Sequence, residues 1–183
     1  AFWRRLTGND PATVIPFVQQ AFEDNKDPAA MAGLEGDEAS LAVLVPGEEV
    51  VPDRIPGVTP TGRPSIRKMP AKEAAVLHRQ AVAGTLLLTA MEAVVAPGLA
   101  SVKIAALNHG GQVAFVWNAR IRREALDRCL AHAPSSLEVL VCAADENDDR
   151  LIGGARRLGP LDPAEIGWSE LQRELLRERK DMS

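Results

Sequence analysis

The sequence has few aromatic residues: Phe and Trp make up 4% of its 183 residues, and Tyr is absent. Hydrophobic residues nonetheless account for 46% of the chain. The core must therefore be built mainly from Ala, Val, Leu and Ile side chains. A chain of this length and apolar content fits one domain with appendages.

Cysteine is also scarce, since Cys129 and Cys142 are the only two in the sequence. Both lie in apolar periodic segments. A disulfide framework usually contains more cysteines than this. We therefore expect two buried free thiols in a cytoplasmic protein, and we find no basic-then-apolar leader at the start of the sequence.

The sequence lacks an excess of positive charge, because its formal net charge is −4. This balance argues against nucleic acid as the main partner, although a local basic patch is compatible with it. A membrane-spanning segment is not expected either. The uncharged stretch 81–91 covers about 16 Å as a helix, which is roughly half of a bilayer core.

The pattern of residues 70–96 predicts one long helix around which the rest of the chain is organised. Apolar residues recur there in steps of three and four, as expected for one face of a helix. They are Leu77, Ala81, Gly84, Leu88, Met91 and Val95. We expect Leu88 and Met91, in the middle of this stripe, to be nearly fully buried.

Shorter patterns predict the elements around this helix. Apolar runs and alternation predict strands at 41–45, 102–107, 113–119 and 137–143, and a second helix is predicted at 122–132. The sequence 108–111 predicts a four-residue hairpin loop. The resulting order is the split βαβ (ferredoxin-like) order. The predicted fold class is thus α+β, with a mostly antiparallel sheet backed by the long helix and extra helices at both termini.

Composition divides the chain into three parts. Residues 1–40 are predicted to form an N-terminal helix followed by an acidic linker. Residues 41–144 would form the α+β core domain, and residues 145–183 a C-terminal loop and an amphipathic helix.

Motifs for catalysis or metal binding are missing. The three histidines have no Cys, Asp or His neighbour at metal-ligand spacing, and no phosphate-binding glycine loop or nucleophile elbow occurs. Residues 145–156 resemble a calcium loop, but Arg occupies both the glycine and the final glutamate positions. We assign no catalytic residue, no metal ligand and no cofactor.

One basic segment is the best candidate for an anion site. It contains Arg63, Arg67, Lys68 and Lys72 and precedes the N-terminus of the long helix, where free amides favour anions. The alternative is that these cations are solvated or pair with the acidic residues Glu35, Asp37 and Glu38.

The sequence of residues 163–180 predicts a terminal amphipathic helix with a narrow apolar stripe. Trp168, Leu171 and Leu175 are its candidate partner-binding residues. Such a helix needs a surface on which to lie. Either Trp168 and Leu175 dock on the sheet face opposite the long helix, or they dock on the same helix of a second copy, which we favour.

Residues 59–119, from Thr59-Pro60 and Gly62-Arg63-Pro64-Ser65 through the long helix to the strand after Pro97-Gly98, resemble an uncharacterised bacterial family. They also resemble the helix-strand-strand segment that precedes Mrr-type restriction endonuclease domains. This resemblance implies an accessory or sensing domain in a bacterial defence or DNA-associated system. The nuclease core is not part of it, so no catalytic residue is carried over.

Taken together, these patterns indicate a non-enzymatic cytoplasmic accessory domain that acts through protein contacts, with a second copy or another protein as partner. The alternative is an anion or nucleic-acid binding module that uses Arg63, Arg67, Lys68 and Lys72. An enzyme of unfamiliar type is the third interpretation.

Overall fold

The computed structural model describes residues 1–96, 98–110 and 112–173, without the side chains of residues 109, 110 and 112. The helices are α1 (Phe2–Thr7), α2 (Pro11–Ala21), α3 (Ala71–Ala93), α4 (Arg123–Leu130) and α5 (Ser136–Ala143). The strands are β1 (Ala29–Glu35), β2 (Glu38–Val45), β3 (Arg54–Val58), β4 (Pro64–Lys68), β5 (Ser101–Gly110), β6 (Gln112–Arg122), β7 (Ala144–Ile152) and β8 (Arg157–Gly159).

Among the described residues, the main sheet has six strands in the order β1-β2-β5-β6-β7-β8, and β3 pairs with β4 in a separate two-stranded sheet. Strands β2 and β5 are parallel, whereas the other neighbouring pairs are antiparallel. Because parallel neighbours need a crossover connection, the chain between β2 and β5 carries α3 across one face of the sheet. The predicted α+β class is confirmed.

The split βαβ arrangement is not confirmed. In that arrangement another strand separates the two strands that flank the first helix. Here β2 and β5 are hydrogen-bonded neighbours over eight residue pairs, from Glu38 with Ser101 to Val45 with Asn108. The last predicted strand, 137–143, is also wrong because these residues form α5.

The capping of α5 explains this error. Ser135 accepts a hydrogen bond from the Glu138 amide at its N-terminus, which is half of a capping box. Val139, Leu140 and Ala143 are buried at helical spacing. A short apolar run fits a buried strand and a buried helix equally well until its cap is recognised.

The long helix was predicted correctly in position, but the wrong face was predicted to be buried. Leu88 is 54% exposed and Met91 is 38% exposed. The opposite face covers the sheet with mostly small or medium side chains: Ala75, His78, Val82, Ala83, Leu86, Leu87, Thr89, Ala90 and Ala93. Since the helix is apolar on nearly all sides, periodicity alone did not distinguish the two faces.

The terminal parts of the chain belong to the same sheet. The segment predicted as an acidic linker contains β1, which pairs with β2. The predicted division at residue 40 falls inside β2, and the division at 144 falls at the start of β7. The hairpin of β5 and β6 is present, but its strands extend through Asn108 to Gly110, so the predicted four-residue loop is wrong.

The two cysteines are joined in a disulfide between α4 and α5, with 13 residues of separation. The prediction of two free thiols is therefore wrong. Spacing alone did not reveal the pair, because the turn between the two short helices brings the sulfur atoms together. The prediction of free thiols was one reason to expect a cytoplasmic location. The disulfide removes that reason, since disulfides persist mainly in oxidising compartments. Within the described residues, no helix is long and apolar enough to cross a membrane.

We predict that reduction of the Cys129–Cys142 disulfide destabilises the fold. A closed loop of this size restricts the unfolded chain and contributes about 3 kcal/mol. Denaturant unfolding with and without dithiothreitol measures the difference. A Cys129→Ala/Cys142→Ala variant should not respond to the reductant. Two reactive thiols in native protein purified without reductant would contradict the prediction.

We also predict that the two faces of α3 respond differently to truncation. Leu86 is fully buried, so Leu86→Ala should lower the free energy of unfolding by about 2–5 kcal/mol. Leu88→Ala, two residues away, should cost less than about 0.5 kcal/mol in the monomeric state, because that side chain is half exposed in the single chain. Equal losses in urea unfolding, at protein concentrations low enough to keep both variants monomeric, would mean that the helix is rotated relative to this structure.

Candidate interaction site

An apolar stripe runs along the outer face of α3 and into the turn after it. We call it the α3 ridge; it consists of Leu77, Ala81, Gly84, Leu88, Met91 and Val95. Its large side chains are exposed to 42%, 54%, 38% and 65% for Leu77, Leu88, Met91 and Val95. Scattered exposed apolar residues are ordinary, but a continuous stripe on one helix face is typical of an interaction surface.

Polar contacts hold α3 on both sides of the ridge. On one side, Asp27 accepts a hydrogen bond from Thr85 at 3.1 Å, and Asn25 donates one to Glu92 at 2.5 Å. On the other side, Ser136 at the start of α5 donates to the Gln80 carbonyl at 3.2 Å. These contacts fix the helix in position. The four large side chains of the ridge stay exposed, whereas Gly84 packs against Ser136.

The four predicted anion-binding residues do not form one cluster. Arg63 lies at the tip of the β3–β4 hairpin, and Lys72 lies in the first turn of α3. Arg67 and Lys68 are consecutive residues of β4, so their side chains point to opposite faces of the hairpin. Arg67 also lies 3.7 Å from the Glu73 carboxylate. A single convergent anion site at these positions is not formed.

Trp168 lies on the sheet face opposite α3, which is the intramolecular alternative of the two predicted arrangements. It is 5% exposed and packs in a cluster with Phe115, Leu107 and Ile166. Its indole N–H donates to the Asn118 side-chain oxygen at 2.9 Å. Leu171 packs against the same cluster, whereas Leu175 lies outside the described residues. Trp168 is thus occupied by its own chain rather than free for a partner.

A polar network that sequence analysis missed crosses the same sheet face. Arg120 on β6 donates to the Glu38 carboxylate on β2 at 2.5 Å, and Ser101 on β5 donates to the same oxygen at 2.8 Å. Burial raises the pKa of Glu38, but these hydrogen bonds and the charges of Arg120 and Lys103 outweigh it, so its pKa lies below the ordinary 4.5. The network joins β2, β5 and β6. Glu38, Ser101 and Arg120 are far apart in the sequence and meet only because these strands pair, so no local sequence motif predicts the network.

A cleft of about 460 Å³ lies at the base of the β3–β4 hairpin and is lined by Glu48, Asp53, Lys68 and Arg157, among others. Arg157 and Glu48 approach within 3.4 Å and pair across it. In the part of the chain that the structure describes, no group of three or more His, Cys, Asp or Glu side chains is arranged to hold a metal ion. His78 is buried, and its Nε2 lies 2.9 Å from the Pro46 carbonyl, which is a structural contact.

Comparison with protein-family models, with curated proteins and with solved structures found no match to this chain. The resemblance of residues 59–119 to a bacterial family and to the segment preceding Mrr-type domains therefore stays a prediction. The function has to be argued from the surfaces of the molecule itself.

We predict that Glu38 stabilises the fold in a pH-dependent manner. Because its pKa is lowered in the folded state, its contribution is present above about pH 4.5 and is lost as the pH falls through the lowered value. Glu38→Gln should thus reduce the free energy of unfolding at pH 7 by about 1 kcal/mol, and the difference from wild type should shrink in acid.

Glu146→Gln is the matched control for this measurement. Glu146 faces the same arginine at 3.9 Å but is 55% exposed, so its removal should change stability less than removal of Glu38. Urea unfolding of the three proteins between pH 3 and pH 7 makes the comparison. A difference for Glu38→Gln that is independent of pH would contradict the assigned ionisation.

Proposed function

We propose that this protein is a non-enzymatic interaction module that associates with a second copy of itself through the α3 ridge. The supporting observation is the exposure of the four large ridge residues on the helix that organises the fold. The helical part of the ridge, from Leu77 to Met91, extends over 14 residue steps, which is about 21 Å, and Val95 follows in the turn after the helix. An uncovered apolar surface of that length favours burial against a partner.

The order of side-chain sizes along the ridge favours a second copy as that partner. In an antiparallel pair centred near residue 86, Ala81 of one copy faces Met91 of the other, and Leu77 faces Val95. Leu88 then lies opposite the turn that contains Gly84, where Ser136 of the same chain packs against the helix. The small side chain of Ala81 leaves room for Met91 at two symmetric places in the pair. Such a contact is symmetric and self-complementary, as in most homodimers.

Charge does not oppose this packing. The ridge itself contains no charged residue, and the uncharged stretch 80–91 covers its central part. Flanking groups such as Glu92 are already hydrogen-bonded within their own chain. Two copies can therefore approach without bringing unpaired like charges together, which would otherwise disfavour association.

We also propose that this self-association serves an accessory role in a bacterial defence system. The support for that role is the resemblance of residues 59–119 alone. The alternative function, one anion site built from Arg63, Arg67, Lys68 and Lys72, has less support because these cations diverge. Cytoplasmic location likewise stays a prediction.

The proposal predicts that a charge on the ridge abolishes self-association. Leu88→Glu should change a dimer into a monomer in size-exclusion chromatography with light scattering, because burial of an unpaired carboxylate at the interface is unfavourable. Its thermal stability in the monomeric state should be retained, since Leu88 is half exposed in the single chain.

Val76→Glu is the matched control. Val76 is 53% exposed on the same helix, nearly the same fraction as Leu88, but it lies outside the ridge. This variant should remain dimeric. A wild-type protein that is monomeric up to its solubility limit would overturn the proposal, and so would loss of the dimer in both variants.

A further inference from the structure

The Cys129–Cys142 disulfide joins the core of the protein to its surface. Cys129 lies in the main hydrophobic cluster and is 6% exposed. Cys142, by contrast, is an exposed residue of α5, and Val141 beside it is 49% exposed. Structural disulfides resist reduction, whereas exposed ones are more often labile, regulatory or catalytic. One end of this disulfide is therefore accessible to a reagent from solvent.

An open cleft of about 640 Å³ lies against the disulfide. Both cysteines line it, together with Arg128, His132, Glu138 and the apolar residues of the turn between α4 and α5. A cleft of this size is in the range that holds a small molecule. It shares no residue with the α3 ridge or with the cleft beside the β3–β4 hairpin.

The cleft contains ionisable groups of both signs. Arg128 and His132 come from α4 and the turn after it, whereas Glu138 comes from the first turn of α5. Arg128 donates from Nε to the Glu124 carbonyl of its own helix at 3.3 Å. Within the described part of the chain, neither Arg128 nor Glu138 takes part in an ion pair. These groups complement a ligand that carries both a carboxylate and an ammonium group.

We propose that this cleft is a thiol–disulfide exchange site for a small amino-acid thiol, that is, a thiol with a carboxylate and an ammonium group. The ligand thiolate attacks the sulfur of Cys142, because Cys129 is shielded by the core. Arg128 and His132 donate to the ligand carboxylate, and Glu138 accepts from its ammonium group. The disulfide is thus the reacting group, and the three ionisable side chains select the thiol.

The reaction is an exchange with no net oxidation or reduction. A new sulfur–sulfur bond forms between the ligand and Cys142 while the bond between Cys142 and Cys129 breaks. The electron pair of the broken bond leaves with Cys129 as a thiolate, which takes up a proton from water. The product has a mixed disulfide on Cys142 and a free thiol at Cys129. Helices α4 and α5 are then no longer covalently linked.

A dithiol protein is the competing class of reagent, but the surroundings of the disulfide favour a small molecule. The centre of a protein–protein interface is usually depleted of charged residues. Here three ionisable side chains line the same cleft as the two sulfur atoms. A concave site with a few polar groups around a reactive one is typical of small-molecule recognition.

The rates at which glutathione and 2-mercaptoethanol open the disulfide of the full chain test the recognition step. Glutathione carries carboxylate and ammonium groups, and 2-mercaptoethanol carries neither. Mass spectrometry after acid quenching measures the loss of the disulfide in protein purified without reductant. Arg128→Gln should slow glutathione about fivefold, the effect of one exposed charge pair, and should leave the rate with 2-mercaptoethanol unchanged. The matched control Arg4→Gln removes an exposed cation elsewhere and should react as wild type does with both thiols.

Two single-cysteine variants test which sulfur reacts. Cys129→Ser and Cys142→Ser both lack the disulfide, so a loss of stability from that cause is common to both. Oxidised glutathione should modify Cys142 in the first variant and leave Cys129 unmodified in the second, because Cys129 is 6% exposed. Intact-mass measurement counts the glutathione adducts.

Several results would overturn the proposal. They are an absence of exchange between the wild-type disulfide and glutathione, reduction by a thioredoxin-type dithiol protein alone, equal effects of Arg128→Gln on the two thiols, and equal modification of the two single-cysteine variants. The Arg128→Gln measurement keeps the disulfide, so it decides even where a single-cysteine variant does not fold. Since every readout is covalent chemistry at the cleft, a monomeric protein would leave these tests intact.

Discussion

The direct parallel pairing of β2 with β5 is the constraint on which the other features of this fold depend. Eight residue pairs join the two strands, and parallel neighbours cannot be joined by a tight turn. The 55 residues between them must cross the sheet, and α3 makes that crossing. Ala83, Ala90 and Ala93 are buried on its inner face, where their small side chains allow close approach to the strands. The opposite sheet face is then left for the C-terminal segment, where Trp168 packs.

The sequence predicted those elements whose periodicity is unambiguous. Alternation at 102–107 and 113–119 identified the hairpin strands, and the apolar stretch at 70–96 identified α3. Periodicity did not predict which face of α3 is buried. When a helix is apolar on nearly all sides, the choice depends on fit against the sheet, and here the face with more alanines fits better. The stripe Leu77 to Val95, which has the strongest helical spacing, consequently faces outward. The residues predicted to form the core are therefore the exposed residues of the candidate interaction site.

Other elements and contacts were not predicted, because they depend on helix capping or on residues that meet only in the folded chain. Ser135 and Glu138 carried a capping signal for α5 that the apolar run 137–143 obscured. Strands β3 and β4 contain Pro56 and Pro64, a residue type that usually disfavours strands but is compatible here because both prolines occupy edge positions. Without that strand assignment, the alternation that separates Arg67 from Lys68 was not predictable, so the basic segment was expected to form one site. The Glu38 network depends on three strands meeting and has no sequence signature.

The α3 ridge belongs to the crossover between β2 and β5, and this has an energetic consequence. The residues of α3 that stabilise the sheet lie on one side of the helix, and the α3 ridge lies on the other. The β3–β4 hairpin precedes α3, and its two strands pair only with each other among the described strands. Substitutions of the exposed ridge side chains therefore remove few buried contacts within the single chain. The side chains that stabilise the fold and those proposed to bind a second copy lie on different faces of one helix, so the proposed interface can change without loss of the fold.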